Sequence, residues 1–142
     1  MMEDRSVVAS QRCSIGEQGE RMTKIRNFED LEVWKISHQL VLEVYRVTKG
    51  FSNQELFGLT SQMRRASASV PANIAEGFGR QNLKEKINFY NIAQGSISEL
   101  RYYFILARDL EYILSVEKQL DMCDHIARML HIMMEKMRNA RT

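Results

Sequence analysis

Leu59-Thr-Ser-Gln-Met-Arg-Arg-Ala-Ser-Ala-Ser-Val-Pro-Ala-Asn-Ile-Ala-Glu-Gly-Phe-Gly-Arg80 decides how this chain folds. Leu59, Met63, Ala66, Val70 and Ile74 recur at helical spacing, and Leu56 extends the series upstream. They predict a helix with one narrow apolar stripe. Alanine and serine at 66–69 keep that helix slender. Pro71 lacks an N–H and crowds the carbonyl four residues back, at about 3 kcal/mol in a helix interior. A kinked but continuous helix is expected, with a break into two segments as the alternative. Gly77 is expected to end it as the C′ residue.

Working backward, Ser52 or Asn53 is expected to cap this second helix. The first helix is expected to begin near Asn27, with Asp30 in a capping role, and to stop at Gly50. Its apolar residues fall into two stripes: Leu31, Trp34, His38, Val41, Tyr45 and Thr48, and then Val33, Ile36, Leu40, Val44 and Val47. Glu32, Lys35, Gln39, Glu43 and Arg46 are left as the polar face. A helix of an isolated bundle needs only one apolar stripe. The second points to burial on two sides or to a subunit interface.

Working forward, a third helix is expected from Asn82 to Arg108, apolar around well over half its circumference. Gly95 in its middle costs roughly 1 kcal/mol relative to alanine. Close approach of the slender second helix is the expected compensation. Residues 111–114 read as a loop or a frayed extension. A fourth helix carries Val116, Leu120, Cys123, Ala127, Leu130, Met134 and Met137 as its inner positions. Short connections between four helices predict an all-α, antiparallel up-down four-helix bundle over residues 25–140. Residues 1–24 are expected to be a disordered N-terminal extension, with Met22 as a candidate true initiator.

Composition narrows the function classes. A net charge of +2 over 142 residues does not by itself demand a nucleic acid or an anionic surface as partner. Residues 1–21 hold three basic and four acidic side chains, so the remainder carries +3. No apolar run is long enough to span a bilayer, so no membrane association is expected. Cys13 and Cys123 form no metal or redox spacing, which fits a reducing cytoplasm. No catalytic residues, cofactor, metal or small-molecule substrate is expected. A di-iron bundle needs Glu-x-x-His pairs, and the sequence has none. Gly77-Phe-Gly-Arg80 lacks the lysine-hydroxyl ending and the preceding strand of a phosphate loop.

Two polar groupings remain. Gln62, Arg65, Ser69, Asn73 and Glu76 form a stripe beside the apolar one. A solvated flank and a network buried between helices or subunits both fit it. Glu99 favours the network, because it falls among Ile92, Tyr103 and Leu106 and would need Arg65, Arg80 or Arg101 as a partner if buried. The second grouping is Arg64, Arg65, Arg80, Lys84 and Lys86 around the turn between the second and third helices, with Phe78 as a stacking ring. Arg64, Arg80, Lys84 and Lys86 are the candidate phosphate contacts.

Four segments carry a resemblance: Phe28-Glu-Asp-Leu-Glu-Val-Trp34, then Leu59-x-x-Gln-x-Arg-Arg-Ala66, then Val70-Pro-Ala-Asn73-Ile-Ala-Glu76-Gly77-x-Gly-Arg80, then Ile92-Ala-x-Gly95-Ser-x-x-Glu99-Leu100. In order and spacing they resemble the four-helix-bundle family also called 23S rRNA intervening-sequence proteins, over roughly residues 22–138. Phe51-Ser-Asn departs from the Phe-Pro frequent in that family. The resemblance implies a bacterial cytoplasmic protein that forms a ring-like homo-oligomer, a pentamer. It carries no catalytic residues. The expectation is a non-enzymatic homo-oligomeric bundle that associates with RNA or a ribonucleoprotein partner, with a protein-interaction scaffold as the alternative.

Overall fold

The computed structural model describes residues 24–141, with side chains through Ala140. The expected extension and the Met22 initiator lie outside the described residues, Lys24 excepted. Four helices make up the described chain: α1 Glu32–Thr48, α2 Leu59–Phe78, α3 Leu83–Asp109 and α4 Glu117–Arg141. Consecutive helices pack on one another, α1 closes against α4, and the diagonal pairs do not meet. This is the expected up-down bundle.

The α2 helix runs unbroken through Pro71, which is buried together with Val70 and Ile74. The second half of the apolar stripe therefore stays in phase with the first. The start of α2 is later than expected. Ser52 caps only a 3-10 turn, Asn53–Glu55, its Oγ accepting from the Gln54 N–H at 3.2 Å. The α2 N-terminus is instead met by Glu55, whose carboxylate accepts from the Leu59 N–H at 3.0 Å and from the Tyr112 hydroxyl at 2.8 Å. Both bonds favour the charged form, and they hold this carboxyl below its ordinary pKa. Leu56 thus falls outside the helix and is 49 % exposed.

The α1 helix also starts later. Asp30 accepts from the Arg26 and Asn27 N–H groups at 2.9 and 3.0 Å, closing a 3-10 turn over Phe28–Asp30 before the helix proper. The stripe of Val33, Leu40 and Val44 faces the core, while Trp34 and His38 stack half-buried at 5.1 Å. Glu43, expected on the solvated face, is buried.

Gly50 and Gly77 are not left-handed caps, because no described glycine has positive φ. Gly77 lies buried inside α2. A Cβ there would stand 2.7 Å from Tyr90 Cε1 and 3.2 Å from the Lys86 carbonyl oxygen. The close approach of α2 and α3 is thus made at Gly77, and the one expected at Gly95 is absent: nothing lies within 4 Å of a Cβ there. The α3 helix starts next to Asn82, close to the expected position, and Asn82 is its cap, its Oδ1 accepting from the Glu85 N–H at 3.1 Å. The far end of α3 closes with Glu111 at φ 66 and bonds from the Glu111 and Tyr112 N–H groups to the Arg108 and Ala107 carbonyls. That is a Schellman closure with glutamate where glycine is usual. On α4 the buried positions are Gln119, Cys123, Ile126, Leu130 and Met134, with Val116 buried just before the helix. Gln119 and Ile126 replace the expected Leu120 and Ala127, which are half-buried, as is Met137.

Candidate functional site

The polar stripe of α2 divides by depth. Ser69 and Asn73 are half-buried, whereas Gln62, Arg65 and Glu76 are exposed. Ser69 Oγ and Ser96 Oγ lie 2.8 Å apart across the α2–α3 seam. Asn73 Nδ2 donates to the Ser69 hydroxyl at 3.0 Å and to its carbonyl at 2.8 Å. These three residues pin the level of α2 against α3 with every short contact satisfied. Glu76 pairs with Arg80 at 2.7 Å in solvent. Glu99 is exposed and has none of the arginine partners expected for it. It accepts from the Tyr103 hydroxyl at 2.9 Å, a bond that raises the pKa of that phenol. Arg101 turns to Asp124 on α4 at 2.7 Å instead.

The candidate phosphate contacts do not form one patch. Arg64 lies in the first half of α2 and Arg80 two residues past its end, a separation of roughly 20 Å along the bundle. Arg64 belongs with α1: its Nε donates to Thr48 Oγ1 at 2.9 Å and its guanidinium lies 4.6 Å from the centre of the Tyr45 ring. Lys86 is committed too. Its Nζ donates to the Gly77 and Phe78 carbonyls, both at 2.9 Å, satisfying the C-terminus of α2 from the next helix. Partial burial lowers its pKa. Arg80 and Lys84 are both exposed beside the α2–α3 turn; Arg80 pairs with Glu76 and lies 4.9 Å from the Phe89 ring centre.

Beside Arg64 is a groove of about 460 Å³ between α1 and the start of α2, lined by Tyr45, Leu56, Phe57, Arg64, Arg65 and Ala68. Phe57 is 91 % exposed. Sequence reasoning missed this groove, because it placed Leu56 on the core stripe.

It also missed a buried polar contact between α1 and α4. Glu43 accepts from Gln119 Nε2 of α4 at 2.8 Å and from Arg46 at 2.6 Å. The Arg46 bond, ahead of Gln119, holds the carboxyl below its ordinary pKa against the opposing effect of burial. Only a one-residue change of phase on α4 would have revealed Gln119 as an inner position.

The described residues include no group of three His, Cys, Asp or Glu side chains placed to hold a metal ion. Burial pushes the Cys123 thiol up to about 12, so at neutral pH it is a protonated core group rather than a nucleophile. His125 and His131 are exposed. No helix among the described residues is long and apolar enough to cross a membrane.

Comparison with known proteins agrees with this architecture. No curated protein matches the chain. A crystal structure from Bacteroides thetaiotaomicron VPI-5482, described as a protein of unknown function from the S23 ribosomal protein family, is 26 % identical with a TM-score of 0.67. The similarity covers 72 % of this chain and 97 % of that one. The family profile of the 23S rRNA-intervening sequence protein matches residues 29–132, from the capped turn before α1 to late α4. The chain belongs to the 23S rRNA-intervening sequence protein family.

Proposed function

We propose that this protein is a non-enzymatic, self-associating cytoplasmic bundle that engages RNA or a ribonucleoprotein through one end. The observation that carries this is the distribution of charge along the bundle. The end built from residues 24–32, 76–86 and 135–140 holds seven basic and six acidic side chains. The opposite end, residues 49–55 and 108–118, holds three basic and four acidic ones. Lys24, Arg26, Arg80, Lys84, Lys136 and Arg138 are all exposed at the basic end. Asp30 there is occupied by backbone N–H groups and Glu76 by Arg80, so neither carboxylate is bare.

Self-association multiplies this modest excess. A ring of copies with parallel bundle axes, a pentamer being the form the resemblance implies, places every basic end on the same rim. Phosphate binding responds to summed charge. The family's name, which refers to 23S rRNA, supports RNA as the polyanion.

Filter binding of the full chain to a structured fragment of large-subunit rRNA tests the reading. Binding at low salt that weakens with added salt is expected, and Arg80→Glu with Lys84→Glu should weaken it at least tenfold. No binding at low salt would refute it. Lys86→Gln should matter less, because Lys86 Nζ is spent on the α2 carbonyls.

A protein-interaction scaffold is the second reading, and the groove under Phe57 favours it. A pull-down partner that survives nuclease treatment, with no RNA bound at low salt, would select it.

A further inference from the structure

The outer face of α3 has no partner within the protomer. Ile92, Tyr102 and Leu110 are 45, 56 and 48 % exposed, and they recur at helical spacing with Gly95 and Glu99. Gly95 weakens a 27-residue helix at its middle, and nothing in the protomer occupies the space its missing Cβ leaves. The result is an apolar strip with a notch. Resting on the self-association proposed above, we infer that this strip docks into the groove between α1 and α2 of a second copy, with Glu99 meeting Arg65.

Three observations select a second copy as the occupant. The first is charge. The α3 strip carries Glu99, whose one bond is to an uncharged phenol, while the groove is edged by Arg64 and Arg65. Arg65 is exposed and has no acidic partner among the described residues. The second is level. The Ser69–Ser96 bond fixes antiparallel α2 and α3 against each other. Counting outward from it, Arg65 lies level with Leu100, next to Glu99, and Ala68 lies level with Ile97, near Gly95. Rotation about an axis parallel to the bundle preserves level, so each copy offers Glu99 at the height where the next offers Arg65. The third is shape. The α2 surface bordering the groove is thin, with Ser61 and Ala68 at its edge, so a second helix can approach closely. The strip and the groove are different surfaces of one chain. Their contact is therefore head-to-tail, the kind that closes into a ring.

Light scattering after size exclusion of the full chain tests the inference. Wild type should elute as a closed oligomer. Glu99→Arg and Arg65→Glu should each shift mass toward the protomer, with assembly weakened at least tenfold, and the double reversal should restore the oligomer. Gly95→Trp should also dissociate it while helical circular dichroism stays unchanged, because Gly95 faces open space in the protomer. An oligomer that survives both single reversals and Gly95→Trp would overturn the docking while leaving self-association standing. Single reversals that dissociate the oligomer without rescue by the double would overturn the Glu99–Arg65 pairing. A wild-type chain that is monomeric at all concentrations would overturn both and leave the groove to a different protein.

Discussion

Gly77 and Gly95 are both helical glycines, and they do opposite things. Gly77 lies in the α2–α3 seam, pressed against Tyr90 and the backbone of α3; Gly95 lies on the outer face of α3, against nothing. Two glutamates divide the same way. Glu43 is 8 % exposed between α1 and α4, while Glu99 is solvated on the outer face. A residue type reports what a position lacks or carries, but only the packing of neighbouring helices decides whether that matters to folding. The seams set protomer stability, while the outer face of α3 around Gly95 and Glu99 is open to solvent in the protomer.

The hardest test of that division is Gly77→Ala. An added Cβ would meet Tyr90 Cε1 at 2.7 Å, and Tyr90 is 1 % exposed with no room to swing. The Lys86 carbonyl at 3.2 Å blocks relief from the backbone side. Overpacking of this kind should destabilise by about 3 kcal/mol, read as a drop in the urea midpoint at constant slope. Tyr90→Leu should remove part of that penalty in the double variant, since the ring makes the nearest contact. An unaffected midpoint in Gly77→Ala would erase the distinction between the two glycines.

Glu43→Ala comes next, at about 2 kcal/mol, because it leaves the buried Gln119 amide without its acceptor. Its pH dependence has a definite sign. The folded state holds the Glu43 carboxyl below its ordinary value of 4.5. The stabilisation is therefore complete above 4.5 and fades as pH falls through the lower folded value. Denaturation of wild type and Glu43→Gln from neutral pH to about pH 3 should show the gap between them narrowing on acidification. A gap that stayed flat would place Glu43 in solvent with Glu99.

Much of the fold is legible in the residues, and the misreadings have local causes. The core stripe of α2 from Leu59 to Ile74 is narrow, so its phase is unambiguous. The α1 and α3 helices are apolar on two sides, and their sequences do not say which side faces inward. That ambiguity put Glu43 on the solvated face of α1, where it is in fact buried. The late start of α2 depends on Tyr112 holding Glu55, a bond across 57 residues that no local pattern encodes. Arg80 and Lys84 were legible at one end of the bundle because the same turn carries both. Arg64 was not separable from them by sequence proximity alone, since the helix itself carries it to the far end. Glu111 could not be foreseen as a left-handed cap, because the signal for that conformation is glycine.

On the outer face the expected effects are smaller and one reverses sign. Gly95→Ala, placed in the Glu99→Arg background so that the protomer is measured, should stabilise by up to about 1 kcal/mol. Nothing opposes the added methyl there, and helix propensity acts alone. Destabilisation would mean that Gly95 serves packing within the protomer, as Gly77 does.

Glu99→Gln should change protomer stability least, by less than about 0.5 kcal/mol, as expected for a surface substitution that keeps its shape. It should still leave a trace. The Tyr103 hydroxyl donates to Glu99, and that bond chiefly raises the phenol pKa. Replacing the carboxylate with a neutral amide removes the charge that opposes phenolate formation, so Tyr103 should titrate at lower pH in the variant. The ring resonances of Tyr103, followed at a dilution where the protomer prevails, report this directly. A shift without loss of stability would show that the Glu99 bond orients a solvated carboxylate and does not hold the bundle together. Loss of stability comparable to that of Glu43→Ala would instead move Glu99 from the outer face into a seam.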